Sequence, residues 1–186
     1  MFAAPELRPE QWARPVIDTR VGNLYQVSPG VFRAEQPGRS DIPDLQALGI
    51  KTLLNLREYH EDGAHFARAG FRLERHPMAA GSVANDDLVA ALRLIHKSPK
   101  PVLVHCWHGS DRTGFVIAGY RLVFEGWSKQ AAIDELRRGG FGYHERTYPN
   151  IKRALEALDV EALRRAVLDQ EQPARDQGAS SRRSVS

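Results

Sequence analysis

The sequence has a single cysteine in its 186 residues, which excludes an intramolecular disulfide and any zinc site that needs several cysteines. It has no apolar run near the roughly 18 residues that a membrane-spanning helix needs, so no integral membrane segment is expected. It also lacks a run of lysine and arginine with interleaved aromatic residues, and its formal net charge is only +3. We therefore expect no nucleic-acid partner.

What remains is the composition of an ordinary folded domain, with 42% hydrophobic and 26% charged residues. The length fits one domain, and we expect a monomer. Residues 1–20 contain three prolines and predict an irregular N-terminal arm, and residues 21–170 are predicted to form the folded domain. Residues 171–186 consist largely of Gln, Ala, Ser, Gly and Arg without periodicity, which predicts a disordered tail.

The first residues carry charges at Glu6 and Arg8, where a secretory signal would need an apolar core. A cytoplasmic location is therefore the simplest expectation for the chain as given. A mature form whose export signal was removed is the alternative, and the sequence does not distinguish the two.

Segments with strand-like and helix-like hydrophobic spacing alternate along the chain. Strands are predicted over residues 23–27, 31–34, 50–56, 71–76 and 101–105. Helices are predicted over residues 41–48, 64–69, 86–97, 112–125 and 128–138, followed by one that starts at 147 and one over 159–168. This alternation predicts an α/β fold with a central mixed β-sheet flanked by helices.

The only cysteine, Cys106, lies in the segment HCWHGSDRTG at residues 105–114, between a predicted buried strand and a predicted helix. Backbone N–H groups of such a loop and of the first helical turn have no acceptors of their own, and they can converge into a nest for a tetrahedral oxyanion. The partial positive charge of the helix N-terminus favours the thiolate form of a cysteine placed there. The segment therefore predicts an anion site with a nucleophile at its base.

The other residue types of the segment fit the same chemistry. Arg112 can return over the loop and bind two oxyanion oxygens in a bidentate fork. Gly109 permits a tight turn and a close backbone approach. Thr113 can offer its hydroxyl to the thiolate, and His105 is expected to point away from the substrate and to brace the loop. We predict that the substrate contacts Trp107 and His108 at the pocket mouth, together with Gly109, Ser110 and Thr113.

The pattern His-Cys-x-x-Gly-x-x-Arg-Thr-Gly resembles the phosphate loop of the cysteine-dependent protein tyrosine phosphatase superfamily, and the small size resembles its dual-specificity branch. Residues 31–37, 48–57, 126–128 and 139–145 resemble bacterial dual-specificity-like phosphatases. The resemblance implies a phosphatase domain over residues 21–170 that hydrolyses phosphorylated proteins or small phosphomonoesters without a metal or organic cofactor. It also implies that Cys106 attacks phosphorus, forms a cysteinyl-phosphate and is released by water, with a general acid protonating the leaving oxygen.

The general acid is the point at which the sequence departs from the superfamily. The usual aspartate lies on a loop that corresponds to residues 77–84 here, and this loop contains no acidic residue. We predict that Asp111 is the acid, because loops ending in Asp-Arg-Thr resemble those of myotubularin-type lipid phosphatases and some bacterial secreted phosphatases. Asp86 and Asp87 are the alternatives, although acids at the start of a helix more often stabilise its dipole.

Two other functions stay open at this point. A phosphoinositide or inositol-phosphate phosphatase is one, although such loops often carry lysines beside the cysteine and this loop offers only His108. A phosphate-binding pseudophosphatase is the other, which the missing loop aspartate favours and the intact Cys106 and Arg112 oppose. Metal ligation by His105, Cys106 and His108 ranks below catalysis, because no further cysteine is available.

Overall fold

The computed structural model describes residues 8–169. The tail predicted over residues 171–186 lies outside the described residues, as do the first seven residues of the predicted arm. The strands are β1 (Arg14–Pro15), β2 (Tyr25–Ser28), β3 (Val31–Ala34), β4 (Thr52–Asn55), β5 (Arg72–Arg75) and β6 (Val102–His105). The helices are α1 (Ile42–Ala47), α2 (Ala64–Arg68), α3 (Asn85–Lys97), α4 (Asp111–Phe124), α5 (Lys129–Arg138), α6 (Pro149–Ala157) and α7 (Val160–Leu168).

The strands form one mixed sheet in the order β1-β2-β3-β6-β4-β5. The pairs β3–β6, β6–β4 and β4–β5 are parallel, whereas β1–β2 and β2–β3 are antiparallel. Ala34, Asn55 and His105 lie side by side at the carboxyl ends of β3, β4 and β6. The loops that follow these three strands therefore start at one edge of the sheet, where open α/β sheets place their ligand sites.

Both faces of the sheet are covered, and every residue of β6 is buried as predicted. Val102 and Val104 pack into the core that includes α3 to α7, whereas Leu103 packs on the other face with residues of α1 and α2. This arrangement explains why β6 begins with three consecutive apolar residues, Val102 to Val104, because a strand covered on both faces has no polar side. The predicted α/β fold with a central mixed sheet is confirmed.

The predicted elements after residue 20 are all present, and their ends differ from the predictions by no more than two residues. Ser128 and Asp159 cap α5 and α7 by accepting a backbone N–H with their side chains. The arm contributes the short strand β1 where the sequence predicts an irregular segment, because two residues that include a proline show no hydrophobic alternation in the sequence. No helix within residues 8–169 is long and apolar enough to cross a membrane.

Candidate active site

The phosphate loop, residues 105–114, joins the carboxyl end of β6 to the N-terminus of α4. The backbone N–H groups of residues 107–113 donate to no acceptor within the described part of the chain. The first N–H groups of a helix have no acceptor inside the helix, and here the loop before it adds more free donors. A continuous row of N–H groups is therefore available to bind an anion.

The carbonyl groups of the same loop are bound by donors outside it. These bonds run from Leu56 N to His105 O (3.0 Å), from Gln36 N to Trp107 O (3.0 Å), from Asn23 Nδ2 to His108 O (2.7 Å) and from Arg33 Nη2 to Gly109 O (2.8 Å). In a trans peptide the C=O and the following N–H point in opposite directions. Holding the carbonyls from outside therefore turns the N–H groups inwards, towards the place that the anion would occupy.

Gly109 allows the loop to come close to β3. Its φ angle is +69°, a conformation that disfavours any residue with a Cβ. A Cβ at this position would lie 2.4 Å from the backbone C and O atoms of Ala34. Because those atoms belong to the sheet and cannot move aside, both the turn and the approach require glycine.

Arg112 reaches a cleft of about 400 Å³ whose lining includes Arg57, Trp107 and Tyr148. Its Nη1 donates to Met78 O at 3.5 Å, and the Arg57 guanidinium stacks on the Trp107 ring at 4.3 Å. Burial and the neighbouring Arg112 cation lower the pKa of Arg57 below its usual range. Two guanidinium groups that repel each other across one cleft are suited to an anionic ligand.

His105 points away from this cleft and is fully buried. Its Nε2 lies 3.0 Å from Asp62 Oδ2, and Asp62 also accepts from Gln36 Nε2 at 2.8 Å. Burial pushes the pKa of Asp62 upwards, but the hydrogen bonds and charge of His105 and the bond from Gln36 outweigh it, so the net shift is downwards. His105 thus connects the phosphate loop to the loop after β4.

The residues that were predicted to contact the substrate differ in their exposure and in their hydrogen bonds. Trp107 is 58% exposed and lines the cleft, and the His108 ring lies 5.8 Å from the His144 ring. The Ser110 hydroxyl donates to Phe141 O at 2.6 Å, so its side chain holds the glycine-rich loop at residues 139–142. Only the Ser110 backbone N–H is free for a ligand. Thr113 Oγ1 is buried and bonds to no group within residues 8–169, Cys106 included. The roles of these residues in substrate binding stay predictions.

Asp111 is 7% exposed and bonds to His144 through both carboxylate oxygens. Oδ1 accepts the His144 backbone N–H at 2.9 Å, and Oδ2 lies 2.9 Å from His144 Nδ1. The His144 side chain is half exposed. The structure therefore gives Asp111 a polar neighbour that reaches solvent, a contact that the sequence did not reveal.

The alternative acids serve other elements. Asp87 accepts the Ala84 N–H at 3.1 Å at the start of α3 and bonds to His76 Nε2 at 3.0 Å. Asp86 lines a separate hollow between α3 and α7. Neither of these residues is in the lining of the cleft that contains Arg112, and Asp111 is not in that lining either.

Several residues of the site were absent from the predicted set, among them Arg33, Asp62 and Asn23. Arg33 carried a usable signal, since an arginine inside the short apolar strand Val31–Ala34 must bury its charge. Asp62 lies in a polar loop, where nothing in the sequence separates it from exposed neighbours such as His60 and Glu61. Asn23, which was predicted to begin a strand, lies in the turn before β2.

Comparisons with known proteins agree with this geometry. A family model described as "Polymorphic toxin system, DSP-PTPase phosphatase" matches residues 28–127. The dual specificity protein phosphatase TpbA of Pseudomonas aeruginosa is 36% identical over 171 residues, which cover 91% of this chain and 76% of that protein. An inositol diphosphatase of Arabidopsis thaliana is 25% identical over 156 residues, covering 78% of this chain and 74% of that protein.

Solved structures of TpbA also match this chain. The crystal structure of TpbA matches with a TM-score of 0.78 at 34% identity, covering 86% of this chain and 98% of that one. A second TpbA structure, a cysteine-to-serine variant in complex with pTyr, matches with a TM-score of 0.77, the same identity and the same coverage.

Gly109→Ala is expected to disrupt the anion nest, because the new methyl group would collide with Ala34. We expect anion binding, measured as the rise in melting temperature with inorganic phosphate or vanadate, to disappear. Gly49→Ala is the matched control, since Gly49 has a φ of +71° but open space around its Cβ position. This control should lose roughly 1–2 kcal/mol of stability from backbone strain and keep anion binding. Equal anion binding by Gly109→Ala and the wild type would contradict the described nest.

Proposed function

Because this chain belongs to the DSP-PTPase family of cysteine-dependent phosphatases, we propose that it hydrolyses phosphotyrosine and other phosphomonoesters of proteins with Cys106 as the nucleophile. The enzyme is a protein tyrosine and dual-specificity phosphatase that acts through a cysteinyl-phosphate intermediate. The proposed assignment of the site rests on the row of free N–H groups at residues 107–113, which directly follows Cys106 and includes that of Arg112. That row is complementary to a phosphoryl group during its transfer.

The first step follows from this arrangement. Cys106 Sγ attacks phosphorus, the bond from phosphorus to the leaving oxygen breaks, and the leaving oxygen takes a proton from the general acid. The loop N–H groups and the Arg112 fork hold the other three oxygens while charge shifts between them. Water then attacks phosphorus and gives a proton to the group that served as the acid, which now acts as a base and is thereby restored. The sulfur–phosphorus bond breaks, and inorganic phosphate leaves with Cys106 as a thiolate again.

An aryl phosphate suits the cleft above the loop. Trp107 and Tyr148 line it together with Ala79, Ala80 and Gly81, so a phenyl ring attached to the phosphate would meet aromatic and aliphatic surface. The complex of the TpbA variant with pTyr supports a phosphorylated tyrosine as substrate. The inositol diphosphatase relative is more distant at 25% identity, which makes an inositol phosphate the second candidate.

We assign the general acid to Asp111 acting together with His144. Asp111 is adjacent to Arg112 in the chain, and no acidic residue lies in the loop at residues 77–84. The bond from Asp111 Oδ2 to the half-exposed His144 ring gives the carboxyl group a route for exchanging its proton with solvent after each turnover. Asp86 and Asp87 are not adjacent to Arg112 in the chain, and both lie in the first turn of α3.

Cys106→Ser is expected to abolish hydrolysis of a phosphotyrosine peptide while keeping the fold, because the serine hydroxyl is not ionised near neutral pH. The expected fall in kcat is at least about 1,000-fold, or roughly 4 kcal/mol of activation free energy. Steady-state kinetics measure the loss, and binding of the uncleaved peptide to the variant is the control for an intact pocket. Activity within about tenfold of wild type would contradict Cys106 as the nucleophile.

Asp111→Asn is expected to slow phosphotyrosine hydrolysis by roughly 100-fold or more and nitrophenyl phosphate hydrolysis far less. The reason is that a poor leaving group such as tyrosine needs a proton donor, whereas nitrophenolate leaves without one. The measurement is kcat for both substrates across a pH series, in which the Asp111→Asn profile should also flatten. Asp87→Asn is the matched control and should alter the stability of α3 only. A selective loss of phosphotyrosine hydrolysis in Asp86→Asn or Asp87→Asn, but not in Asp111→Asn, would move the acid to the start of α3.

A further inference from the structure

Arg33 is a charged residue in the interior that the reaction described so far does not use. It lies on β3 opposite Val104 of β6, and it is only 1% exposed. Burial lowers its pKa to about 10, which is still well above neutral pH, so the guanidinium remains positively charged. A buried charge is costly to the fold unless it makes specific compensating contacts.

The contacts of Arg33 lead to the phosphate loop. Its Nη2 donates to Gly109 O at 2.8 Å, and its guanidinium carbon lies 3.6 Å from the centre of the Phe141 ring. A Cβ added to Gly114 would lie 3.7 Å from Nη2, so the guanidinium also reaches the first turn of α4. Arg33 therefore lies directly behind the loop, between its tightest turn and the start of the helix.

No carboxylate within the described residues contacts Arg33, although several ionisable groups lie near it. Glu135 on α5, Arg121 on α4, Tyr25 on β2 and Cys106 in the loop all act on it electrostatically. Glu135, however, is bound by Arg121 Nε and Nη2 at 2.9 and 2.7 Å and by the Ala13 N–H at 2.6 Å. Within the described residues, Arg33 forms no salt bridge and its Nε has no partner.

The bond to Gly109 O has a direct effect on the nest. A peptide group is planar, so a carbonyl that is held towards β3 fixes the following N–H, that of Ser110, in the opposite direction. The Ser110 N–H is one of the donors that have no partner within the described residues. The positive charge that fixes this peptide lies close to the site of the nucleophile and of the phosphate, where a low dielectric preserves its influence.

We propose that Arg33 is a positioning residue of the phosphatase, which orients the Gly109–Ser110 peptide towards the phosphate and supplies a buried positive charge behind the anion nest. This charge favours the thiolate of Cys106 over the neutral thiol. It also favours the loop with a bound phosphate dianion over the loop without one. The inference rests on the proposed function, but its tests use the free enzyme and inorganic phosphate, so they do not require turnover.

Two substitutions separate the charge from the hydrogen bond. Arg33→Met introduces an apolar side chain of comparable length and removes both the charge and the hydrogen bond. Arg33→Lys keeps the charge and loses the planar guanidinium group. Alkylation of Cys106 by iodoacetamide as a function of pH reports the thiolate, and the dissociation constant of inorganic phosphate reports the nest. We expect Arg33→Met to shift the alkylation midpoint upwards by about one pH unit or more. We expect both variants to bind phosphate at least about tenfold more weakly, with the Arg33→Lys midpoint near that of wild type.

Arg121→Lys is the matched control, because Arg121 is equally buried but its guanidinium pairs with Glu135 and Glu125. It should lower the melting temperature and leave both the alkylation midpoint and phosphate affinity unchanged. The proposal is overturned if Arg33→Met has the wild-type alkylation midpoint and the wild-type phosphate affinity. It is also overturned if Arg121→Lys changes the midpoint and the affinity as much as Arg33→Met does. Should Arg33→Met fail to fold, wild-type phosphate affinity in Arg33→Lys has the same consequence. Wild-type behaviour of the Arg33 variants would leave the role of Cys106 intact, whereas an active Cys106→Ser enzyme would refute the proposed function itself.

Discussion

The site depends on the direction of a few peptide groups in the phosphate loop. Their carbonyls are bound by donors from β3, from the loop before β2 and from the segments after β3 and β4, so that the N–H groups are left to face an anion. A loop whose N–H groups all bonded to acceptors within the protein would have no donors left to bind phosphate. Within residues 8–169 these donors have no acceptor, so they are available to bind a phosphate.

The sheet makes this arrangement possible because β3, β6 and β4 are parallel neighbours whose carboxyl ends are level. Gly109 reaches the backbone of Ala34 at the end of β3, and His105 at the end of β6 bonds to Asp62 in the loop after β4. The rigid parallel strands thus fix the loop from both sides. Helix α4 then adds its N-terminal dipole along the same direction. Binding and catalysis therefore use elements that the fold already needs for its core.

The sequence predicted the features that are local. The spacing of Cys106, Gly109 and Arg112, together with a strand before and a helix after, is encoded in about ten consecutive residues, and the structure reproduces that context. The supporting contacts are not local, since Arg33 binds a carbonyl 76 positions away and Asp62 binds a histidine 43 positions away. Such pairs follow from the order of the strands, which hydrophobic spacing does not specify. The partner of Asp111, His144, is 33 positions distant for the same reason.

The central claim is that phosphate is transferred to Cys106 while the loop N–H groups hold it. The most direct measurement is rapid acid quenching of the wild-type enzyme with a phosphotyrosine peptide carrying labelled phosphate, followed by peptide mapping. The account predicts a transient label on the peptide that contains Cys106, with the chemical stability of a thiol ester of phosphate and a yield that decays as inorganic phosphate appears. A label on another residue, or turnover with no covalent label at any quench time, would contradict it.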